Sequence, residues 1–266
     1  MTFLMVALQS EARPLVRHFG LTGTDAPSPY RIYGSDEITL VVTGVGRVAC
    51  AAATAYAFAH AGEARNRAWI NVGIAGHASA AVGSARVANK ITERGTGRAW
   101  YPNLVFDSPV PTAELVTVDE PELNGPGEAL YDMEGSAFFA VASRFSVIEL
   151  LHVFKVVSDN DRHGLSRIDR VEVARLIGAQ LDAVETIVAE AGRLARHFDR
   201  QAPDLEPWTS SRRLSVSQTR MLADLLARLR VLEASEPLPS EFSQLAGGRE
   251  LLAALEERVR RQGLAF

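Results

Sequence analysis

Three short apolar runs, each followed at once by a turn and then a helical stretch, constrain this chain more than any other feature. Residues 3–8 read as a buried strand, after which Gln9-Ser10-Glu11 opens an amphipathic stretch over residues 12–19. Residues 38–43 run into Gly44-Val45-Gly46-Arg47 and an alanine-rich helical stretch, 48–60. Residues 68–72 run into a third, Gly-rich turn, Gly73-Ile74-Ala75-Gly76-His77. Strands alternating with helices predict an α/β fold, and glycines in the turns let backbone approach a ligand closely. Glu11 then sits at a strand-to-helix junction, the place where open α/β sheets bind ligands.

Two later stretches each add a carboxylate beside a buried element. They are Tyr131-Asp132-Met133-Glu134-Gly135 and, at the end of an apolar run, Val156-Val157-Ser158-Asp159-Asn160. Carboxylates held in different environments can divide electrostatic and acid work between them. The ordinary alternative for Asp159 is a helix cap, although Asp169 is better placed to cap the helix that follows. Desolvation by residues 153–157 would have to raise Asp159 well above the usual ~3.9 for it to act as an acid, with Ser158 and Asn160 placed to orient it.

The order of these pieces resembles the nucleoside phosphorylase and nucleosidase superfamily, most closely its methylthioadenosine/S-adenosylhomocysteine nucleosidase branch. The resemblance lies in residues 7–11, 43–49, 71–76 with Val82-Gly83, 132–137 and 156–160. It implies a three-layer α/β/α domain around a mixed sheet and hydrolysis of the N-glycosidic bond of a purine nucleoside, one modified at the 5′ position as the substrates of relatives are. By the same resemblance Glu11 orients or deprotonates the attacking water, Glu134 binds the ribose hydroxyls with Met133 beside the sugar, and Asp159 protonates the leaving purine at N7. Ser158, Gly73 and Ile74 belong to the substrate-binding shell, and Leu8 and Val45 line an apolar 5′ pocket. No cofactor and no metal are implied, and relatives that pair to complete their sites imply a homodimer.

The chain departs from the family pattern in three places. Ile74 stands where the nucleosidases carry serine, and Lys155 where they carry arginine, which implies a different shell around the water. Residues 101–130 are shorter than the usual strand, helix and base-stacking loop. Residues 115–119 read as the surviving strand, but Glu120-Pro121-Glu122 follows where an aromatic is expected. Phosphorolysis is the first alternative reading, with Arg13, Arg47 and His77 near the candidate loops. Against it, the N-terminal loop carries Glu11, whose charge would repel phosphate. A non-catalytic nucleoside-binding or scaffold protein is the second alternative.

Composition fits a cytoplasmic enzyme. The 266 residues are 47% hydrophobic, enough for one large core and a small appendage, and the formal net charge of −4 gives no support to nucleic-acid or membrane-surface binding. Residues 1–8 are too short for a secretory core, and no apolar run is long enough to span a bilayer. The one cysteine, Cys50, excludes an intrachain disulfide and reads as a packed small side chain. The six histidines show no metal-ligand spacing.

Residues 1–200 are expected to form the catalytic domain, ending in one long helix over 169–198 whose apolar positions recur at helical spacing. Residues 201–207 read as a linker and 208–266 as a helical hairpin, with helices over 215–233 and 248–262. Leu222, Leu225, Leu226, Leu229 and Leu232 share one face, expected to pack on the catalytic domain or across a dimer. Trp208 is the nearby aromatic expected to replace the missing wall of the purine pocket.

Overall fold

The computed structural model describes residues 1–266 except 25–26, 63–65, 122–127, 164–168, 201–202, 211, 234–236, 246 and 264–266. Glu122 and the linker positions Gln201 and Ala202 therefore lie outside the described residues. The chain divides into two compact units, Met1–Arg196 and His197–Phe266.

The first unit begins β1 (Thr2–Val6), α1 (Gln9–His18), β2 (Thr22–Gly23), β3 (Arg31–Gly34), β4 (Ile38–Val42) and α2 (Arg47–His60). It continues β5 (Ala68–His77), β6 (Ala85–Glu93), β7 (Ala99–Trp100), β8 (Thr112–Thr117), β9 (Leu130–Asp132) and α3 (Gly135–Ala142). It closes with β10 (Leu151–Asp159), α4 (Arg170–Gly178) and the greater part of α5 (Leu181–Arg200), up to Arg196.

The sheet is mixed. β1 pairs in parallel with β4 and β5, and β5 with β10, whereas β3–β4, β5–β9 and β6–β10 are antiparallel. Because β10 pairs with both β5 and β6, strands β5, β10, β6, β8 and β9 close into a ring at one end of the sheet. Every residue of β1 and β10 is buried, which explains why neither alternates apolar with exposed polar residues. Phe138 and Phe139 of α3 and Ala53 and Ala57 of α2 join Trp69, Leu115 and Val153 in one core, each large side chain contributing about 1.5–3 kcal/mol of burial. Helices α1 and α4 pack together on the other side, α4 against β5 and β10, giving three layers.

Two local expectations are corrected. The stretch Gly73–His77 is not a turn: β5 continues through it to His77. Its glycines serve as gaps instead, since a Cβ at Gly73 would stand 2.9 Å from Glu11 Oε1, and one at Gly76 2.9 Å from Asp159 Oδ2. The long helix over 169–198 is two helices, α4 and α5, interrupted after Gly178. Ala179 caps α4 and the Gln180 side chain donates to the Gly83 carbonyl at 2.8 Å, fixing the chain where the periodic pattern runs on. Asp169 caps α4 as expected, accepting from Val171 N at 2.9 Å and Glu172 N at 2.8 Å.

His152 lies inside β10 with its ring edge against Phe106, 5.1 Å between centroids, and neither ring nitrogen makes a hydrogen bond of ordinary geometry among the described residues. Burial pulls its pKa down to about 4, opposed only in part by the Glu149 backbone. The folded form is neutral while the unfolded one protonates near ~6.5, so stability is complete above that pH and is lost as pH falls toward 4. His152→Leu is expected to remove this loss, improving stability relative to wild type by about 2 kcal/mol at pH 5 and much less at pH 8. Urea unfolding at the two pH values measures it; an equal change at both would place the effect in packing alone.

The second unit has its own core. It contains α6 (Glu206–Thr209), α7 (Val216–Glu233), a 3-10 turn at Pro239–Phe242 and α8 (Gly248–Gly263). Leu222, Leu225, Leu226 and Leu229 of α7 are buried with Leu251, Leu252 and Leu255 of α8 and with Phe242. The leucine face is thus covered within the unit, correcting the expectation that it packs on the catalytic domain or a dimer mate. Trp208 is 3% exposed in the same core, its ring 5.7 Å from that of Phe242, so its stacking surface is used there. Arg212 donates to the carbonyls of Phe242 and Leu245 at 2.7 and 2.9 Å, and Arg258 bridges Glu233 and Glu241 at 2.7 and 2.6 Å. Among the described residues, no helix is long and apolar enough to cross a membrane.

Candidate active site

A cleft enclosing ≈ 620 Å³, its mouth included, opens at the carboxyl ends of β1, β5 and β10, beside β9 and the start of α3. Of the residues singled out from sequence, Leu8, Glu11, Val45, Ile74, Met133, Glu134, Ser158 and Asp159 all line it. Gly73 lies behind the wall, in β5, where its missing side chain makes room for Glu11.

Glu11 occupies the first turn of α1, where the helix dipole favours a negative charge. Its Oε2 accepts from Leu8 N at 2.8 Å and its Oε1 from Ile74 N at 3.0 Å, so α1 and β5 both fix the carboxylate. Burial raises its pKa, opposed by Lys155 and by those backbone donors. Glu134 stands at the N-terminus of α3 and accepts from Gly46 N at 2.7 Å. Gly46 has φ 97°, a conformation other residues rarely adopt, which turns its N–H toward Glu134. Burial pushes the Glu134 carboxyl up to about 7, with Lys155 pulling the other way.

Asp159 depends on an irregularity in β10. The register with β5 shifts between Val157 and Asp159, a bulge at Ser158. Adjacent residues of a regular strand point to opposite faces, yet here Ser158 Oγ donates to Asp159 Oδ1 at 2.5 Å. Burial raises the Asp159 pKa and the Ser158 hydrogen bond lowers it, the first effect being the larger. Asn160 turns elsewhere, donating to the Ala80 carbonyl at 2.8 Å and accepting from Arg162 N and His163 N.

Sequence reasoning noted Lys155 only as a replacement for arginine and passed over Asp132. The two form an ion pair of 2.8 Å, Lys155 being 1% exposed. Asp132 also accepts from Thr117 Oγ1 and Gly135 N, both at 2.7 Å, and so ties β8, β10 and the start of α3 together. Burial by itself would lower the Lys155 pKa, but Asp132, Glu134 and Glu11 together hold it above its ordinary value, so it is a fixed ammonium. A lysine inside the otherwise apolar run 153–157 was the available signal, because a buried lysine requires a carboxylate partner.

The cations raised for phosphate binding are occupied or turned away. Arg47 pairs with Glu93 and, at 2.7 Å, with Asp119. His77 Nδ1 accepts from Ser79 N at 3.1 Å and Ala80 N at 3.0 Å, which leaves its Nε2–H directed at the Glu128 carbonyl, 3.1 Å away. Arg13 is exposed on α1. None of the described residues lining the cleft is basic.

Comparison with solved structures places this architecture among known ones. The fold is that of the methylthioadenosine/S-adenosylhomocysteine nucleosidases. An Arabidopsis thaliana 5′-methylthioadenosine nucleosidase matches with a TM-score of 0.56 and 20% identity, over 71% of this chain and 95% of its own. A Helicobacter pylori nucleosidase variant with 5′-methylthioadenosine in its active site matches at 0.58 and 13%, over 71% and 98%. Futalosine hydrolase from the same organism matches at 0.56 and 14%, over 71% and 97%. No family model matches the sequence, and no curated protein matches it either.

Proposed function

We propose that the first unit hydrolyses the N-glycosidic bond of a purine nucleoside, an adenosine modified at its 5′ position, releasing free base and a ribose derivative. The observation that carries this reading is the placement of three buried carboxyls, Glu11, Glu134 and Asp159, around one cleft with no basic residue among its described lining. Breaking a ribosyl C–N bond builds positive charge on the sugar and negative charge on the base. Glu134, with Met133 beside it, faces the sugar and binds its hydroxyls. Glu11 orients a water molecule and takes its proton as the oxygen bonds to the anomeric carbon, while the electron pair of the broken bond leaves with the purine. Asp159 gives its proton to N7, a transfer that its raised pKa favours. Leu8, Val45 and Ile74 offer apolar surface for the 5′ substituent. The proposal includes a homodimer, because Val45 and Val48 are 50% and 85% exposed beside the cleft, apolar surface that a second copy would cover.

Phosphorolysis is disfavoured by the same electrostatics, since phosphate would enter a cleft lined by carboxyls and find Arg47 already paired. The test is incubation of the purified chain with methylthioadenosine, 5′-deoxyadenosine, adenosine and inosine, with and without phosphate, reading free base. Release at a rate independent of phosphate is expected. Strict phosphate dependence would establish the phosphorylase reading, and no release from any of the four would remove the proposed activity in favour of a binding role.

A further inference from the structure

Arg47 is the first residue of α2, where the helix dipole disfavours a cation and where no acidic side chain of the first turn offsets it. The guanidinium is committed instead to two carboxylates from other elements. Its Nε and one Nη lie 2.8 and 2.7 Å from Asp119 Oδ1, and the other Nη pairs with Glu93 at the end of β6. The residues around both ends of the Arg47–Asp119 contact belong to the cleft. Val45 lines it, and Gly46 N, immediately before Arg47, donates to Glu134 Oε1 at 2.7 Å. Val118 and Pro121 line it from the chain that follows β8, with Asp119 between them and Val118 N donating to the Asp132 carbonyl at 2.8 Å. One side chain thus joins two walls of the cleft across a sequence separation of 72 residues.

Resting on the proposed hydrolysis, we infer that Arg47 is a positioning residue, a strap that holds the loop after β8 against the start of α2 and so fixes the width of the nucleoside cleft without touching its occupant. Beyond Val118 the chain has left the sheet, and Asp119, Glu120 and Pro121 are exposed, so the Arg47 contact acts on the part of the wall that the strand ladder does not hold. Glu93, 14% exposed, anchors the guanidinium, whereas Asp119, 67% exposed, is the contact that salt can reach. Arg47 lies outside the cleft lining, so its loss acts on how firmly the nucleoside is held and not on the proton transfers of Glu11 and Asp159.

The test compares the full wild-type chain with Arg47→Met, Arg47→Lys, Asp119→Ala and the Arg47→Met/Asp119→Ala double variant, with thermal unfolding as a check on each. KM and kcat are read with methylthioadenosine, an uncharged substrate, at about 0.05 and 0.5 M salt. Arg47→Met is expected to raise KM about 3- to 10-fold with kcat within about twofold of wild type, the scale of one partly exposed ion-pair network. Arg47→Lys keeps the cation and should recover part of the loss, and the double variant should be no worse than Arg47→Met alone, since both changes break one contact. Higher salt should move wild type toward the variants and leave Arg47→Met where it is. Asp119→Ala, a change in an exposed loop, carries the comparison if Arg47→Met does not fold. A folded variant with KM within about twofold of wild type at low salt, or one that loses kcat at unchanged KM, overturns the inference and leaves the hydrolysis reading untouched. If wild type cleaves no nucleoside, the hydrolysis reading fails and calorimetric affinity for methylthioadenosine and adenine replaces KM: affinity that depends on Arg47 and on salt supports the strap alone, and equal affinity in all variants overturns it. A wild-type chain that binds neither ligand overturns both.

Discussion

Asp159→Asn is expected to lower turnover by about 10²- to 10⁴-fold while leaving the fold and nucleoside affinity nearly unchanged. The substitution keeps the shape of the side chain and lets Ser158 Oγ donate to the amide oxygen in place of Oδ1, so the bulge in β10 need not move. What it removes is the proton. Burial raises the Asp159 pKa, so the neutral, proton-bearing form persists to higher pH than for a solvated carboxyl. Activity of the wild type should therefore fall as pH rises through the Asp159 pKa, and that alkaline limb should be missing from the variant's residual rate. Thermal unfolding should show no loss, since a carboxyl whose charge is disfavoured by burial is not a source of stability at neutral pH. Turnover within threefold of wild type would remove Asp159 from the acid role.

The strands and helices of the first unit were legible because their apolar patterns are local. A fully buried strand such as β1 gives a continuous apolar run over residues 3–6, and α1 and α2 follow their strands after short turns. What remained hidden depends on partners distant in sequence. Gly73-Ile74-Ala75-Gly76 looks like a turn because glycine usually marks one, but here the glycines are demanded by the carboxylates of Glu11 and Asp159 pressing on β5 from α1 and β10. The pairing of β10 with both β5 and β6 closes a ring that no local pattern announces. Glu11, Glu134 and Asp159 could be picked out because they sit at the ends of legible elements, whereas the Lys155–Asp132 pair joins two strands distant in sequence. The leucine stripe of α7 was legible as buried. Its partner was not, because periodicity tells that a face is covered without telling by what, and α8, Trp208 and Phe242 cover it from within the same unit.

Lys155→Met is expected to destabilise the protein by about 3–5 kcal/mol, the loss typical of removing one member of a buried ion pair. Methionine fills the space of the lysine stem, so the change is chiefly in charge. Asp132 keeps its hydrogen bonds from Thr117 and Gly135 but loses its buried counter-charge, and Glu11 and Glu134 lose the cation that opposes the effect of burial on both. Their pKa values should rise further, that of Glu134 above about 7, so the acid limb of the activity profile should move to higher pH. Lys155→Arg retains a cation and should restore most of both properties, although its planar head fits the space less well. The decisive comparison is Lys155→Met with Asp132→Asn in one chain. If the cost of the single change is an uncompensated charge, the double variant should regain much of the stability while the displaced acid limb persists, because Glu11 and Glu134 still lack their cation. Urea unfolding of the three variants reads the first effect and the pH profile the second. A single variant as stable as wild type to within about 1 kcal/mol would mean that water reaches the Asp132 carboxylate and that the ammonium of Lys155 is not what allows three carboxyls to share this end of the sheet.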